Sequence, residues 1–154
     1  ETFVLPKAQI QKDAQIIPGT DGQKMSKSKN NTINIFLPEK KLRKQIMGIQ
    51  TDSTPLEDPK DPDTCTVFAL YSLLGTEQQI SDLRSLYNAG GMGYGHAKQA
   101  LFELILDSFA EARTKFDYYQ NNPAEVTIAL TKGAEKAKLI ATDVMMRVRS
   151  KIGY

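Results

Sequence analysis

Residues 122–153, NPAEVTIALTKGAEKAKLIATDVMMRVRSKIG, decide the fold class. Asn122 is a favourable helix cap, Pro123 suits the first helical position and Glu125 suits the first turn. Gly153 is a suitable residue for the helix to end on. Between these signals, apolar and small residues recur at helical spacing: Val126, Leu130, Gly133, Ala137, Ile140, Val144, Val148 and Ile152. This pattern predicts one long helix whose stripe packs into a core.

A second long stripe lies directly before that segment. Its members repeat at the spacing of one helix face: Ala97, Ala100, Leu101, Leu104, Ile105, Phe109, Ala112, Phe116 and Tyr119. They predict a single helix across this stretch, again with its stripe in the core.

Three shorter helices are predicted upstream. Pro38 suits the start of the first, and residues 66–74 read as a buried second helix. The third opens with a capping box formed by Thr76 and Gln79. About five helices with short connections predict a mainly α fold, an antiparallel helical bundle.

The first 37 residues differ from the rest, because prolines, glycines and asparagines interrupt them repeatedly. Short extended pieces fit at Thr2–Leu5 and at Ile33–Leu37. The sequence therefore predicts two parts: an irregular loop and short-strand segment, residues 1–37, and a helical domain, residues 38–154.

Bulk composition narrows the classes of protein. The chain has 154 residues, 40% of them apolar, a net charge of +2 and a single cysteine, Cys65. No apolar run approaches the roughly 20 residues that span a bilayer, and no signal peptide is visible. The lone cysteine excludes an internal disulfide and favours the cytosol. A start at Glu1, rather than at methionine, suggests a piece of a longer protein.

Basic residues are concentrated in two regions. Seven lie between Lys24 and Lys44, and the C-terminal helix carries another group: Lys132, Lys136, Lys138, Arg147, Arg149 and Lys151. Such patches suit phosphate ligands, either a nucleotide or an RNA backbone, although solvated helix faces give the same pattern.

The stretch 18–28, PGTDGQKMSKS, carries the chemistry. Two glycines make its backbone pliable, and Lys24 and Lys27 can face one anion beside the hydroxyls of Ser26 and Ser28. Such a loop can close on a polyphosphate, and it is not a Walker loop. A flexible surface turn is the alternative reading of the same residues.

The string 24–28, KMSKS, matches the signature of class I aminoacyl-tRNA synthetases letter for letter. Its surroundings resemble the tryptophanyl-tRNA synthetase family in segments spread along essentially the whole chain: AQIIPGTDGQ (14–23), NNTI (30–33), LRKQIM (42–47), TDS (51–53), DPKDPD (58–63), YGHAK (94–98) and GAEKA (133–137). Tyrosyl enzymes share the architecture but fit these segments less well. The resemblance implies that residues 1–37 are the end of a Rossmann-type catalytic domain carrying the KMSKS loop. It also implies that residues 38–154 form an anticodon-binding helical domain.

The resemblance implies activation of tryptophan by ATP, with release of pyrophosphate, followed by transfer to tRNA(Trp). Lys24 and Lys27 would act as the catalytic residues that hold the ATP β- and γ-phosphates. Met25, Ser26 and Ser28 would shape the loop and contact ATP, and Ile16 would lie near adenine through its backbone. Mg²⁺ would accompany the nucleotide. The family's full-length enzymes are homodimers, whereas a monomer is expected for this chain.

The sequence also predicts what the chain lacks. The family's second ATP motif, HIGH, needs two histidines, but this chain has one, His96. Neither a Rossmann unit nor a tryptophan pocket is apparent, so this chain alone is predicted not to form tryptophanyl-adenylate. No metal site is predicted from the residues. Two alternatives remain: a non-catalytic helical RNA-binding module and a plain helical interaction domain.

Two adjacent tyrosines on the second stripe are candidates for RNA contact. Tyr118 and Tyr119 have the aromatic faces that stack on unpaired anticodon bases. Packing is the expected role of Tyr119, and the role of Tyr118 stays open between packing and stacking.

Overall fold

The structure is a computed structural model that describes residues 2–9 and 16–154. The described residues form six α-helices, together with one turn of 3₁₀ helix at Lys27–Lys29: α1 (Glu39–Met47), α2 (Thr66–Ser72), α3 (Glu77–Ala89), α4 (Tyr94–Ser108), α5 (Ala110–Asn121) and α6 (Pro123–Ile152). The prediction of a mainly α fold is confirmed. The antiparallel arrangement and the anticodon-binding type of bundle remain predictions.

The described chain divides into two compact units. One unit comprises residues 16–113, which include the KMSKS stretch, α1 to α4 and the start of α5. The other combines residues 2–9 with Thr114–Tyr154. The boundary predicted between residues 37 and 38 separates the end of a catalytic domain from a helical domain. It is not a boundary between compact units, and it stays a prediction.

The first unit is built around α4, which packs against α1 and α2, while α2 packs against α3. The core draws on all four helices and the segments between them: Leu42, Ile46, Ile49, Cys65, Val67, Phe68, Leu70, Tyr71, Leu83, Tyr87, Met92, Ala97, Leu101, Phe102 and Ile105. The second helix, predicted to be buried, is therefore confirmed as part of the core.

The predicted capping box at the start of α3 is also present. The Thr76 hydroxyl accepts a hydrogen bond from the Gln79 backbone N–H, and the Gln79 side-chain carbonyl accepts one from the Thr76 N–H. Both bonds depend on residues three apart, so a local sequence signal was sufficient to predict them.

The single helix predicted across Ala97–Tyr119 is wrong, because it is interrupted at Phe109. This residue leaves helical geometry, with φ −109° and ψ 13°, and separates α4 from α5. Its half-buried side chain packs against the core of the first unit. The helical spacing of the stripe continues past Phe109 because two helix-type hydrogen bonds span the interruption. The Phe109 N–H donates to the Ile105 carbonyl, and the Arg113 N–H donates to the Phe109 carbonyl.

The extent of α6 agrees with the prediction, but its stripe is not core. No side chain of α6 is buried in the described structure, and Leu130 and Ile140 are 68% and 71% exposed. An apolar stripe leaves water only when another apolar surface covers it. Gly153 ends the helix as predicted, in the left-handed conformation with φ 84°.

Asn122 stands at the predicted cap position of α6 but makes no side-chain capping bond. Its Nδ2 instead donates to the Tyr118 carbonyl of α5. No helix described here is both long enough and apolar enough to cross a membrane.

The short strands predicted in the first 37 residues are not formed among the described ones. Ile33–Leu37 contains a turn in which the Leu37 N–H donates to the Asn34 carbonyl and the Asn34 side chain accepts from the Phe36 N–H. Thr2–Leu5 is not a strand either. The remainder of the predicted segment, at residues 1 and 10–15, lies outside the described residues.

Candidate functional site

Backbone hydrogen bonds close the candidate site, residues 16–31, called here the KMSKS loop, into a hairpin-like turn. Pro18 and Lys24 form an isolated antiparallel bridge. The Met25 N–H donates to the Ile17 carbonyl at 2.8 Å, and the Gly19 N–H donates to the Gln23 carbonyl at 2.7 Å. All six predicted site residues lie on this loop: Ile16, Lys24, Met25, Ser26, Lys27 and Ser28.

The two candidate lysines are exposed. Across residues 2–9 and 16–154, neither Lys24 nor Lys27 is joined to a carboxylate by an ion pair, whereas Arg84 is joined to Asp63 at 2.8 Å. Unneutralised ammonium groups are free to meet an anion. The arrangement of these two side chains is therefore compatible with a phosphate ligand.

The two serines of the signature contact each other. Ser26 Oγ and Ser28 Oγ lie 2.8 Å apart, and the 3₁₀ turn that starts at Lys27 brings them together. A single bond between two hydroxyls uses one O–H proton and leaves the other for an external acceptor. Asn30 closes the turn in the left-handed region, with φ 54°, which asparagine tolerates better than most residues.

Asn31 is the polar centre of the loop, and sequence reasoning assigned it no role. It is only 2% exposed. Its Nδ2 donates to Asp21 Oδ1 at 2.7 Å and to the Lys24 carbonyl at 3.2 Å, while its Oδ1 accepts from the Ser26 N–H at 2.7 Å. A pair of asparagines directly after the KMSKS string was the available signal, because asparagine side chains commonly bond nearby backbone.

Asp21 is the acceptor at the centre of this arrangement. The hydrogen bond from Asn31, a further one from the Gln23 N–H and the nearby charge of Lys29 hold the pKa of the Asp21 carboxyl below its ordinary value. Asp21 therefore carries its negative charge within the loop, bound to loop donors rather than to Lys24 or Lys27.

The loop is fastened to the helical core of the first unit at two places. The Gln50 N–H, just after α1, donates to the Thr20 carbonyl at 2.8 Å. On the opposite side, Ile17 and Met25 line an apolar cavity of about 380 Å³ together with core side chains: Ile33, Ile35, Leu70, Leu73, Leu74, Leu101, Ile105 and Phe109. Met25 therefore lies beside the core of the first unit, and its role in shaping the loop stays a prediction.

A buried lysine organises the linker between α1 and α2. Lys60 is 3% exposed, and its ammonium donates to the carbonyls of Pro55, Leu56 and Asp58 at 2.9, 3.3 and 3.0 Å. The Tyr94 ring lies 5.5 Å from the same Nζ. A charge that binds three carbonyls satisfies its hydrogen-bonding demand inside the fold, so Lys60 holds the linker together.

The candidate RNA-contacting tyrosines lie in the second unit. Tyr118 donates from its hydroxyl to Glu125 Oε1 at 2.6 Å and so joins α5 to α6. Its ring contacts that of Tyr119 edge to face, with centroids 5.3 Å apart. Both side chains are about half exposed, at 49% and 48%. For Tyr119 packing stays the prediction, and for Tyr118 packing and stacking on a base both stay predictions.

The comparisons with known proteins place this loop in a family. The model of the family described as tRNA synthetases class I (W and Y) matches residues 2–110. The chain belongs to this class I tRNA synthetase family, whose W and Y members correspond to tryptophan and tyrosine. The predicted resemblance is therefore confirmed.

The similar proteins named on comparison are tryptophan enzymes. The chain is 44% identical over 153 residues to Tryptophan–tRNA ligase of Fusobacterium nucleatum, covering 99% of this chain and 47% of the relative. It is 46% identical to that of Rhodopirellula baltica, covering 48% of it. A crystal structure of tryptophanyl-tRNA synthetase from Campylobacter jejuni, complexed with ADP and tryptophan, superposes with a TM-score of 0.85 at 44% identity, with 99% of this chain and 48% of that one covered. The chain spans about half the length of these relatives.

Proposed function

We propose that this chain supplies the ATP-phosphate loop and the tRNA-binding helices of a tryptophan–tRNA ligase. The observation that carries the proposal is the pair of exposed, unpaired lysines on a KMSKS loop. Tryptophan is the proposed amino acid because relatives named for it are 44% and 46% identical over 153 residues. The whole ligase would activate tryptophan with ATP and transfer it to tRNA(Trp).

Lys24 and Lys27 would hold the β- and γ-phosphates of ATP. Negative charge builds up on these groups as pyrophosphate leaves, so ammonium groups already aimed at them stabilise the transition state more than the ground state. The exposed side chains fit this task because no carboxylate of the described chain neutralises them.

The other signature residues would support that contact. The O–H proton left over by the Ser26–Ser28 pair can be donated to a phosphate oxygen. Met25, which lines the apolar cavity beside the core, would shape the loop between the two lysines. Ile16, at the entrance of the loop and 65% exposed, would meet adenine through its backbone.

Mg²⁺ would accompany ATP, held chiefly by phosphates and water. The carboxylate of the loop, Asp21, is already bound to Asn31 and to the Gln23 N–H. We therefore assign no side chain of this loop as a ligand of the ion.

The helical part, residues 38–154, would bind tRNA(Trp). The lysines and arginines of α6 are exposed and suited to backbone phosphates, and the rings of Tyr118 and Tyr119 are suited to anticodon bases. Residues 1–37 would be the end of the catalytic domain. We further propose a cytoplasmic location, a homodimer for the whole ligase and a monomer for this chain.

The proposal is tested by tryptophan-dependent pyrophosphate exchange in a full-length synthetase that contains this chain. A Lys24→Ala/Lys27→Ala variant is expected to lose about 100-fold or more in kcat, since single donors to developing charge contribute on that scale. Lys40→Ala/Lys41→Ala, which removes the same charge from the exposed start of α1, is the matched control and should keep its activity. Equal activity of both double variants would overturn the proposed role of the loop.

The same assay on this chain alone tests its predicted inactivity. In this proposal the tryptophan pocket belongs to the other half of the ligase, so no exchange above background is expected. Sustained tryptophan-dependent turnover would contradict the assignment of the chain to half of an active site.

A further inference from the structure

Asn31 connects two separate parts of the KMSKS loop. Its Nδ2 holds Asp21, in the part of the loop before Lys24. Nδ2 and Oδ1 also hold the Lys24 carbonyl and the Ser26 N–H, respectively, further along the loop. Its own backbone carbonyl accepts a fourth bond, from the Thr20 N–H at 2.9 Å. The contacts with the Lys24 carbonyl and the Ser26 N–H lie on either side of Met25 and hold the backbone next to Lys24.

We propose that Asn31 is a positioning residue of the phosphate loop, whose buried amide fixes the backbone from Lys24 to Ser26 so that the lysines meet the phosphates in a set geometry. This inference rests on the proposed function of the loop. Asn31 does not touch ATP in this account, because its amide is already committed inside the loop and only 2% of the residue is exposed.

The chemistry of the pocket around this side chain calls for an amide. Two acceptors, the Asp21 carboxylate and the Lys24 carbonyl, require two N–H donors, and the Ser26 N–H requires an acceptor. An asparagine amide offers both kinds of group at one branch point, whereas a carboxylate offers no donor and a hydroxyl offers one. The reverse orientation of the amide would aim Oδ1 at Asp21, so the surrounding partners also fix which way the side chain points.

Burial makes the loss of this side chain costly to the loop. In Asn31→Ala the Ser26 N–H and the Lys24 carbonyl lose their partner in a poorly hydrated place, and the loop must open to satisfy them. In an open loop, the side chains of Lys24 and Lys27 occupy a wider range of positions. This raises the entropic cost of aligning both of them on one polyphosphate.

Hydrogen exchange on this chain tests the anchoring directly. Asn31→Ala is expected to speed exchange of the Ser26 amide by about tenfold or more, because its acceptor is removed. Asn34→Ala is the matched control: it removes an exposed asparagine acceptor that serves Phe36, and it should leave the Ser26 amide unchanged. Equal protection of Ser26 in Asn31→Ala and in the unmodified chain would overturn the proposed anchoring.

Pyrophosphate exchange in a full-length synthetase containing this chain tests the consequence. Asn31→Ala is expected to reduce kcat/KM for ATP by about tenfold or more while the KM for tryptophan stays unchanged. The loss should lie in a raised KM for ATP, because a general loss of folding would instead lower kcat and leave both KM values unchanged.

In Asn31→Asp the loss of activity should vary with pH, which a purely structural role of Asn31 would not produce. The new carboxylate would face Asp21, with Lys29 as the nearby cation, so at about pH 8 two like charges repel across the loop. Lowering the pH toward about 5 brings the two carboxylates closer to sharing a proton, which restores one donor, so the deficit relative to the parent should shrink. A pH-independent deficit would contradict this role of the donor.

The two failures are distinguishable. If Lys24→Ala/Lys27→Ala is impaired but both Asn31 variants keep kcat/KM for ATP within about twofold of the parent, the positioning role is wrong and the phosphate loop stands. If the double-lysine variant is itself unimpaired, the proposed function fails, and the positioning role fails with it.

Discussion

Gly19 packs directly against Asn31: a Cβ atom on Gly19 would lie 2.4 Å from the Asn31 backbone oxygen and 2.5 Å from its Cγ. Real Cβ atoms do not approach other heavy atoms this closely, and both partners are backbone or a side chain held by three hydrogen bonds. Glycine at position 19 is therefore required by the buried amide, rather than by an unusual backbone conformation.

Replacing Gly19 by alanine should consequently destabilise the first unit. Forcing a methyl group against Asn31 is expected to lower the free energy of unfolding by about 1–3 kcal/mol, the usual cost of overpacking. Gly133→Ala is the control, because a Cβ there meets open space within α6, and it should instead stabilise by about 0.5–1 kcal/mol. Urea denaturation of the two variants measures both changes in the free energy of unfolding. An unchanged free energy in Gly19→Ala would show that Asn31 moves easily to accommodate the methyl group.

Lys60 should be the lysine whose loss most affects stability. Lys60→Met keeps an apolar stem but leaves three carbonyls without their donor, and it is expected to cost about 3 kcal/mol or more. Lys44→Met, at the exposed end of α1, should change the free energy of unfolding by less than about 0.5 kcal/mol. Chemical denaturation distinguishes them, and similar effects of both would rule out the proposed role of Lys60 in the linker.

The capping box of α3 predicts a smaller and purely local effect. Thr76→Ala removes the acceptor for the Gln79 N–H and is expected to cost about 1 kcal/mol. Thr76→Ser keeps the hydroxyl and should retain most of the stability. Thermal unfolding of the pair is the measurement, and equal losses in both variants would point to the methyl group instead.

The pKa of the Asp21 carboxyl should depend on the hydrogen bond that Asn31 donates to it. Because hydrogen bonding lowers the pKa of the folded-state carboxyl, its contribution to stability is complete above the ordinary value, about 3.9, and is lost as pH falls through the lowered pKa. In Asn31→Ala the pKa of Asp21 should move up toward that ordinary value. Carbon-13 NMR titration measures it, with Asp63 as internal control, because a bond from Arg84 chiefly lowers its pKa. An unchanged Asp21 pKa would contradict the contact.

The helices were predictable where their signals are local. Thr76 and Gln79 make the capping box that their spacing predicts, and α2 is buried as its apolar run predicts. The interruption at Phe109 was not predictable, because it depends on how one side chain packs rather than on periodicity. For α6, periodicity identified an apolar face, but whether water is excluded from that face depends on another surface.

The candidate site shows the same division between local and distant signals. The lysines and serines of the loop stand in one recognisable string, so their grouping could be predicted from sequence. Asn31 was not assigned a place in that group, because its contacts with Asp21, Lys24 and Ser26 join residues five to ten positions apart. Lys60 was missed for a related reason, since a lysine in an acidic, proline-rich linker looks solvent-exposed until the fold buries it.

The central claim, that Lys24 and Lys27 grip the outer phosphates of ATP, is tested most directly by comparing two ligands of a full-length synthetase containing this chain. A non-hydrolysable tryptophanyl-adenylate analogue lacks the β- and γ-phosphates, whereas ATP carries them. In Lys24→Ala/Lys27→Ala the Kd of ATP should rise by about tenfold or more, while the Kd of the adenylate analogue should stay unchanged. Equal weakening of both ligands, or of neither, would contradict the account.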